Sequence, residues 1–298
     1  MKQAFFTSLM ILFVLASCKK STTPPGGGTT PPVTGAKTCQ LVLWKATETA
    51  NPYFFEYTSS GKIAKARIYT NGVAQPPSTT QFEYDSQNRL TRSYDSAGLA
   101  ANNQYTSTTV YSNYNAAGYP QHSVERVKAH RDYETDYEYD TKNNITRAII
   151  QTFDMNDALY SRDTAEFSYD ANGNFISGAA LAKVNGIRSR VIAFEVEGYD
   201  TKTNFYKSLG NEFNLHRIAS ADALTAAGYF GYYLYMPSAN NPLKVYLHNQ
   251  GPGNKGDYLT YTYEYDAGTG LPSKISFMNT SGGVTRGPGI ATASYTCK

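Results

Sequence analysis

The side chains best suited to covalent chemistry in this 298-residue chain are three cysteines, Cys18, Cys39 and Cys297. A thiolate is a nucleophile, so a cysteine can be acylated, oxidised to a disulfide or used in catalysis. Cys39 lies directly before the first predicted strand, Gln40–Trp44, and Cys297 follows the last, which ends at Tyr295. Cys18 ends a short apolar segment near the amino terminus. Their positions at the two ends of the predicted strands favour structural roles over catalysis.

Histidines and carboxylates are the other groups that could act in a reaction or hold a metal. The four histidines show neither helical nor hairpin pairing, which favours solvated side chains over metal ligands: His122, His130, His216 and His248. Six carboxylates recur at a regular interval, which favours surface and turn roles over a catalytic pair: Glu83, Asp85, Glu138, Asp140, Glu264 and Asp266. We therefore predict no catalytic residue, no metal site and no cofactor, and expect a protein that is not an enzyme.

Composition excludes some classes of protein. The chain carries 27 basic and 24 acidic residues, a balance unlike that of a protein that binds nucleic acid mainly by electrostatic attraction. Aromatic side chains are abundant, with 26 Tyr and 14 Phe, and after residue 17 they outnumber Leu, Ile and Val. That proportion is unlike a helical or doubly wound enzyme. The length suits one large β domain or two smaller ones.

One phrase recurs along the chain: an aromatic residue, a polar residue, Tyr and Asp, followed by a polar turn and a second strand. Its full copies are Phe82–Asp85, Tyr137–Asp140, Phe167–Asp170 and Tyr263–Asp266. Degenerate copies are Phe55–Thr58, Ser112–Asn115, Glu197–Asp200 and Tyr233–Met236. The interval between copies matches one strand–turn–strand unit plus a connection. The sequence therefore predicts a succession of β-hairpins.

The residue types within each copy fit an antiparallel hairpin. Alternation puts the aromatic side chains on one face of the strand and the polar side chains on the other. The Asp can accept hydrogen bonds from the turn backbone, and the Asn or Gly that follows can adopt positive φ. We expect about 16 to 18 antiparallel strands and a β-bulge at Gly198. One short helix is predicted from Ala221 to Ala227, with Ser220 as its cap and Gly228 as its stop.

The amino-terminal segment has the pattern of an export signal. Lys2 precedes an apolar run that is too short to span a membrane, so residues 1–17 are predicted to be a signal peptide. The sequence that ends at Cys18, Leu-Ala-Ser-Cys, resembles the lipobox of bacterial lipoproteins, and this resemblance implies a diacylglycerol on the Cys18 sulfur. Residues 18–38, rich in Thr, Pro and Gly, form the predicted tether, and residues 39–298 form a single hairpin-repeat domain.

The residues after Cys18 bear on the location of the protein. Lys19 stands where an Asp marks retention in the inner membrane under the best-known lipoprotein sorting rule, so the resemblance implies the outer membrane. Some lineages export lipoproteins to the cell surface through acidic residues at this place. None is present here, which favours the periplasmic face over the surface. The membrane is thus an expected partner, bound through the lipid.

The Tyr-Asp dipeptides with their turns and returning strands resemble the YD repeat of Rhs-type proteins, and residues 172–174 are the best match to its turn. Together with the lipobox and the tether, the hairpins also resemble a family of uncharacterised bacterial envelope lipoproteins. This second resemblance implies a porin-like β-barrel and a lipid-binding role. Thr58, Asn115 and Met236 depart from the pattern because they replace the Asp.

Closure of the sheet follows from the strand number and the cysteines. So many strands rarely remain in one open sheet. In a closed meander with an even number of strands, the start of the first strand lies beside the end of the last. Cys39 and Cys297 would then be one strand spacing apart, as a disulfide requires. We predict a closed or nearly closed barrel sealed by a Cys39–Cys297 disulfide, with a rolled repeat sheet or two packed sheets as alternatives.

A membrane-spanning porin is a competing interpretation of this barrel. Spanning strands need about nine to eleven residues and an apolar outer band, whereas the recurring strands, such as the one that ends at Asp170, are predicted to be short and aliphatic residues are scarce. This contrast favours a water-soluble barrel that is anchored by lipid. Its aromatic face would point inward, where Tyr can fill space and still find hydrogen-bond partners.

Three functions remain open at this stage. The first is a module that binds an apolar or amphipathic ligand, a lipid or a glycan, in the barrel, where the aromatic run Tyr229–Tyr235 could provide stacking surfaces. The second is a structural scaffold for partners at the envelope. The third is a glycan hydrolase, which would need a cleft with facing carboxylates.

Overall fold

Sixteen antiparallel strands close into a β-barrel, and two further strands form a small separate sheet. The computed structural model describes residues 38–46, 52–69, 78–96, 105–127, 130–184, 186–223, 225–227, 238–248 and 256–298. The predicted all-β class and the predicted closed barrel are both confirmed. The predicted signal peptide, Cys18 and nearly all of the tether lie outside the described residues.

The strands run in chain order around the barrel with one interruption. They are β1 (Cys39–Ala46), β2 (Tyr53–Tyr57), β3 (Ile63–Ile68), β4 (Ser78–Tyr84), β5 (Leu90–Ser96), β6 (Tyr105–Tyr114), β7 (Pro120–Val127), β8 (His130–Tyr139), β9 (Ile145–Phe153), β10 (Leu159–Tyr169), β11 (Phe175–Val184), β12 (Ile187–Val196), β13 (Tyr199–Thr203), β14 (Asn240–Pro242), β15 (Lys244–Leu247), β16 (Asp257–Tyr265), β17 (Pro272–Ser281) and β18 (Val284–Cys297). β13 and β14 pair with each other outside the barrel, so β12 is followed in the wall by β15.

The barrel closes where β1 meets β18. Their register runs from Cys39 opposite Cys297 to Ala46 opposite Ala291. A disulfide joins Cys39 to Cys297, whose Cα atoms are 4.0 Å apart, as the closed meander predicts. The covalent link and the strand pairing therefore seal the same seam.

Each full copy of the phrase becomes the end of an even-numbered strand and the turn that follows it, whereas Tyr199 and Asp200 of the copy Glu197–Asp200 begin β13. β8, for example, ends at Tyr139, and the Oδ1 of Asp140 accepts hydrogen bonds from the backbone N–H groups of Lys142 (2.8 Å) and Asn144 (2.9 Å). Asn143 has a φ of +63°, which Asn tolerates better than most residues. The predicted capping Asp and the predicted positive φ are thus both present.

Two degenerate copies keep this turn with a different side chain. The Oδ1 of Asn115 accepts from the N–H groups of Ala117 and Tyr119, both at 3.0 Å. The hydroxyl of Thr58 accepts from the N–H of Lys62 at 3.1 Å. An amide or hydroxyl oxygen is an adequate acceptor for a turn N–H, so the departures from Asp preserve the hairpin. The copy Tyr233–Met236 lies outside the described residues.

The tyrosines of these phrases connect neighbouring hairpins. Strands β3 and β4 pair from Lys65 opposite Gln81, which leaves the carbonyl of Ile63 beyond the ladder. The hydroxyl of Tyr84 donates to that carbonyl at 2.7 Å. The same contact recurs from Tyr57 to Leu41, Tyr114 to Leu90, Tyr139 to Pro120 and Tyr199 to Phe175. Two tyrosines outside the Tyr-Asp position, Tyr263 and Tyr295, donate in the same way to Pro242 and Pro272, whereas Tyr265 donates to Asp200. A buried carbonyl needs a partner, so this tyrosine contact explains the strongest feature of the repeat.

The chain between β12 and β15 enters the lumen of the barrel. Gly198, with a φ of +82°, separates β12 from β13, so the bulge predicted there is in fact a break at which the chain leaves the wall. A 3₁₀-helix, Phe205–Leu209, and an α-helix, α1 (Gly210–Ala219), follow. The short helix predicted from Ala221 to Ala227 is present, since residues 223 and 225–227 are helical, but Asp222 and not Ser220 accepts at its start. α1 and the 3₁₀-helix before it were not predicted from the sequence.

This segment contacts the inner wall on several sides. The ring of Tyr206 lies 6.2 Å from that of Trp44 in β1, and the ring of Phe213 lies 6.0 Å from that of Phe55 in β2. α1 also packs against β3, β7 and β8. Phe213, Leu215 and Ile218 are 0–1% exposed. The segment therefore fills the centre of the barrel. None of the described helices is long and apolar enough to cross a membrane.

Several barrel strands are longer than the sequence pattern indicated. β10 has 11 residues and β18 has 14. The expectation of short strands is wrong for these, and strands such as β8 and β10 begin several residues before the recurring phrase, in mixed polar sequence. It holds for β2, β3 and β15, which have 5, 6 and 4 residues. The expectation of an inward aromatic face is met by buried rings at the first aromatic position of the phrases, in Phe55, Phe82, Tyr137 and Phe167.

Charged pairs link neighbouring strands on the outer face. Arg147 lies 2.9 Å from Glu138, and Lys274 lies 2.7 Å from Glu264. Similar pairs join Arg67 to Glu56 and Arg190 to Glu166. The recurring glutamates are thus surface residues, as predicted, and they alternate with the inward aromatic rings.

Candidate functional site

A row of polar side chains crosses the inner wall from β5 to β10. The strand registers place Ser93 opposite Thr109, Thr109 opposite Glu125, and Glu125 opposite Tyr133. The row continues from Tyr133 to Thr152 and from Thr152 to Ser161. Residues paired across antiparallel strands share one face of the sheet. We call these six residues the polar row: Ser93, Thr109, Glu125, Tyr133, Thr152 and Ser161.

The rest of the described inner wall is mainly apolar. Its buried residues include Ala148 and Ile150 in β9, Phe194 in β12, and Ile275 in β17. Small and aromatic side chains alternate there and pack against the lumen segment. Polar side chains are concentrated on this side of the wall, where two shorter rows, Thr80–Asp95–Ser107 and Tyr111–Ser123–Thr135, run beside the polar row.

His216 of α1 faces one end of the polar row. Its Nδ1 lies 3.0 Å from the Oγ of Ser93, and its Nε2 lies 3.2 Å from the Oδ2 of Asp95. The Ser93 oxygen is also 3.1 Å from the Tyr111 hydroxyl, and Thr80 donates to the Asp95 Oδ1 at 2.6 Å. Burial raises the pKa of Asp95. The nearby His216 ring, through its charge and its hydrogen bond, and the hydrogen bond from Thr80 have a larger, opposite effect, so the pKa of Asp95 is lowered to about 2.

Serine, histidine and aspartate in contact are also the components of a nucleophilic relay. Here Ser93 is 1% exposed and His216 is 2% exposed, so no substrate carbonyl can reach the serine oxygen. Both side chains instead join α1 to β5. The arrangement is therefore a buried polar contact between the lumen segment and the wall.

Glu125 lies in the middle of the polar row with little compensation for its charge. It is 4% exposed. Burial raises its pKa to about 7, and Asp95 and Asp132 add to that rise, while a hydrogen bond with Ser107 opposes it. The groups that act on this carboxyl include two other acids and no cation. Glu125 is thus the most strongly perturbed described carboxyl of the inner wall.

The other end of the polar row opens into a pocket. We call the barrel end that carries the Tyr-Asp turns the turn end, and the opposite one the distal end. At the distal end, a pocket of about 600 Å³ lies between the wall and the chain after α1. Its lining includes the aromatic rings of Tyr133 and Tyr160, the carboxylates of Asp163 and Asp222, and the amine of Lys183.

Individual groups of this distal pocket are held by local contacts. The Oδ1 of Asp222 accepts from the backbone N–H of Thr225 at 2.8 Å, which fixes one carboxylate oxygen at the start of a helical segment. Arg188 lies 3.6 Å from the Oδ1 of Asp163. Tyr160 is 80% exposed at the rim. The pocket therefore combines an exposed ring with fixed acceptors and one donor amine.

The turn end has a smaller opening beside α1. A pocket of about 370 Å³ lies between the turns after β4 and β6 and the start of α1. Lys62 and Glu212 form an ion pair there, and the guanidinium of Arg89 lies 4.3 Å from the centre of the Tyr114 ring. These groups are already paired with one another, so this opening offers fewer free contacts than the distal pocket.

The histidine prediction is partly wrong. His216 and His248 are 2% and 4% exposed, not solvated, because the lumen segment and the wall enclose them. His122 is partly exposed on the wall, with Nδ1 2.8 Å from the Oδ1 of Asp136. No three His, Cys, Asp or Glu side chains in the described ranges are grouped as metal ligands. The aromatic run Tyr229–Tyr235 lies outside those ranges.

Comparisons with known proteins support the fold. No family model and no curated protein matches this chain. A porin-like protein from Bacteroides uniformis has a similar structure, with a TM-score of 0.50 and 15% identity, over 87% of this chain and 96% of that chain. A porin-like protein from Bacteroides vulgatus aligns with a TM-score of 0.41 and 12% identity, over 86% and 99% of the two chains. At such identities the first similarity concerns the fold alone, and it agrees with the porin-like barrel that the sequence resemblance implied.

Proposed function

We propose that this chain is a lipid-anchored, non-enzymatic protein of the cell envelope that binds a saccharide in its distal pocket. The observation that carries the proposal is the position of that pocket. The barrel centre is filled by α1 and by buried rings, whereas the distal pocket is open and about 600 Å³ in volume. Small-molecule sites have volumes of roughly 300 to 1,000 Å³. The ligand site is therefore the mouth of the barrel, not a hollow lumen.

The chemistry of the lining favours a glycan over a lipid. A sugar ring has apolar C–H faces that stack on aromatic rings and hydroxyl groups that hydrogen-bond to carboxylates and amines. Tyr160 and Tyr133 supply the rings, and Asp163, Asp222 and Lys183 supply the polar contacts. An acyl chain would leave these charged groups unsatisfied in the bound state.

The outer face supports a barrel surrounded by water and anchored through Cys18. Cross-strand pairs such as Arg147–Glu138 and Lys274–Glu264 project from the wall. Charged side chains on a lipid-facing barrel surface cost roughly 2 to 4 kcal/mol each near the midplane. A tether with a lipidated Cys18 would then supply the membrane contact, at the periplasmic face of the outer membrane.

The inaccessible Ser93–His216–Asp95 contact supports a non-enzymatic role. A catalytic serine must reach the atom that it attacks. Ser93 is enclosed by α1 and β6, and its oxygen is shared between His216 and Tyr111. The proposed activity is therefore binding without turnover.

Binding to an immobilised saccharide array tests the ligand proposal. We expect the purified full-length protein to retain a defined set of glycans. Tyr160→Ala should weaken that binding roughly 5- to 150-fold, because stacking of a ring on one aromatic side chain is worth about 1 to 3 kcal/mol. Tyr69→Ala is the matched control, since Tyr69 is an exposed tyrosine (38%) at the distal end of β3. Equal losses in both variants, or no glycan retained by wild type, would contradict the proposal.

The lipid anchor is tested separately by metabolic labelling with an alkyne-tagged fatty acid. We expect label on wild type and none on Cys18→Ala, with the variant moving from the outer-membrane fraction to the soluble periplasmic fraction. Label that persists in the variant would remove Cys18 as the acylated residue.

A scaffold function is the second candidate, and exposed apolar side chains at the distal rim favour it. Met155 and Ile187 are each 71% exposed, and Leu159 is 56% exposed. Such side chains near one another are typical of contact surfaces for other proteins. Cross-linking in intact envelopes discriminates the two: a protein captured through the distal rim, with no glycan retained on the array, would favour the scaffold.

A further inference from the structure

We propose that the barrel lumen contains a binding site for a monovalent metal cation, a sodium or potassium ion, between the carboxylate of Glu125 and the hydroxyl of Thr109. This site is distinct from the distal pocket and does not depend on the saccharide proposal. It stands on the register of two strands, on the burial of both side chains and on an unpaired oxygen.

The two residues face each other across neighbouring strands. Thr109 of β6 lies directly opposite Glu125 of β7 in the register, so both side chains project from the same, inner face of the wall. Thr109 is 1% exposed and Glu125 is 4% exposed. Side chains at opposite positions have Cβ atoms about 4.5 to 5.5 Å apart, which leaves room for an ion bound to one oxygen of each.

The hydroxyl oxygen of Thr109 has no hydrogen-bond partner among the described residues. A buried hydroxyl normally has one, because an unsatisfied polar atom costs about 1 to 3 kcal/mol. The hydroxyl of Ser107, two residues earlier in β6, is close enough to lower the pKa of Glu125, and it donates to the Oδ2 of Asp95 at 3.5 Å. The Thr109 oxygen is therefore an available ligand beside a carboxylate that has another hydroxyl close by.

The charge of Glu125 also calls for a cation. Buried ionised carboxylates are normally paired with a positive group or a metal ion. The electrostatic contributions at Glu125 come from Asp95 and Asp132, both acidic. Asp95 has its own partner in His216, and Arg126, next to Glu125 in the chain, is exposed. An ion at this position would neutralise a buried carboxylate that its described neighbours leave uncompensated.

The ligand set fits a monovalent ion better than a divalent one. Hard cations prefer carboxylate, hydroxyl and water oxygens. Within the described ranges, no three acidic, histidine or cysteine side chains are grouped to hold a metal, so the several charged ligands typical of a calcium site are not gathered here. One carboxylate with neutral hydroxyls matches the single charge of sodium or potassium.

Ion-dependent thermal stability of the full-length protein tests this site. We compare sodium, potassium and N-methyl-D-glucamine chlorides at equal ionic strength and neutral pH. We expect one or both metal salts to raise Tm above the bulky organic cation, with a rise that follows the logarithm of ion concentration above half-saturation. Identical Tm values in all three salts for the wild-type protein would overturn the proposal.

Three variants locate the effect. Glu125→Gln should lose the ion-specific rise, and Thr109→Val should shift its half-saturation several-fold upward, whereas Glu134→Gln, on the outer face of β8, should keep wild-type behaviour. Ion dependence retained in both lumen variants would also overturn the site. If Glu125→Gln does not fold, sodium-23 NMR line broadening with wild type and Thr109→Val gives the same comparison.

A fourth variant separates a metal ion from an internal ammonium group. Lys128 follows Glu125 by three positions and lies outside the described residues. If its amine occupied the site, wild type would show no ion effect and Lys128→Gln would create one. That result would overturn the proposal, and an ion effect unchanged in Lys128→Gln would support it.

Discussion

Removal of the Cys39–Cys297 disulfide should lower the free energy of unfolding by several kcal/mol without opening the folded barrel. The bond closes a loop with a sequence separation of 258 residues. In the chain-entropy model, a loop of that length restricts the unfolded chain by about 5 to 6 kcal/mol at 25 °C. Residual structure in the unfolded chain reduces this figure, so it is an upper value. The β1–β18 pairing, from Cys39 to Ala46, remains to hold the seam.

The assay is guanidinium unfolding of wild type and of the double variant Cys39→Ser/Cys297→Ser. We expect the double variant to unfold at a clearly lower denaturant concentration, with a Tm roughly 10 to 20 °C lower at about 2 to 4 °C per kcal/mol. Dithiothreitol should reproduce this loss in wild type and change nothing in the double variant. Equal midpoints for the two proteins would refute the entropic reasoning. Loss of β-structure in the variant before denaturant is added would refute the claim that pairing alone holds the seam.

Three further variants test other parts of the structure. Tyr139→Phe leaves a buried carbonyl unpaired and should lower the free energy of unfolding by about 1 to 2 kcal/mol, whereas Tyr160→Phe at the exposed rim should not. Asp140→Ala removes the acceptor for two turn N–H groups and should lower the free energy of unfolding by about 1 kcal/mol in the same guanidinium assay. Native Glu125 has a pKa of about 7 and binds its proton more tightly than the unfolded chain does, so wild-type stability should fall as pH rises from 4.5 to 7. In N-methyl-D-glucamine buffers, the free energy of unfolding of Glu125→Gln should lack this slope. Relative to its value at pH 4.5, the difference between the variant and wild type should grow by at most about 3 kcal/mol as the pH rises. Parallel pH profiles would contradict the assignment.

The hairpins and their closure could be predicted because their signals are local in sequence. An Asp that accepts from N–H groups two and four residues later, as Asp140 does, is visible within one turn. The alternation around Tyr137 similarly separates inner from outer positions within one strand. Closure followed from strand parity and from the positions of Cys39 and Cys297, with no information on distant contacts.

α1 could not be predicted because its environment removes the usual signal. An amphipathic helix shows one apolar stripe, but α1 is enclosed by the wall and carries buried Asn214 and His216 among its apolar residues. Their partners, such as Asp95, lie more than a hundred residues away in the chain. The polar row was invisible for a related reason, since it exists only after six strands adopt their registers.

The origin of α1 between β12 and β15 has a consequence for how the protein assembles. A helix cannot thread into a cylinder whose wall is already complete, so the two edge strands must stay apart until this segment has settled against the inner surface. The remaining strands then pair around α1, and the disulfide between Cys39 and Cys297 forms once the barrel has closed. A circular permutant that links residues 39 and 297 and begins at a distal turn would join β1 to β18 before α1 has packed. We expect it to refold more slowly, because the β1–β18 seam is no longer open when the helix enters the barrel.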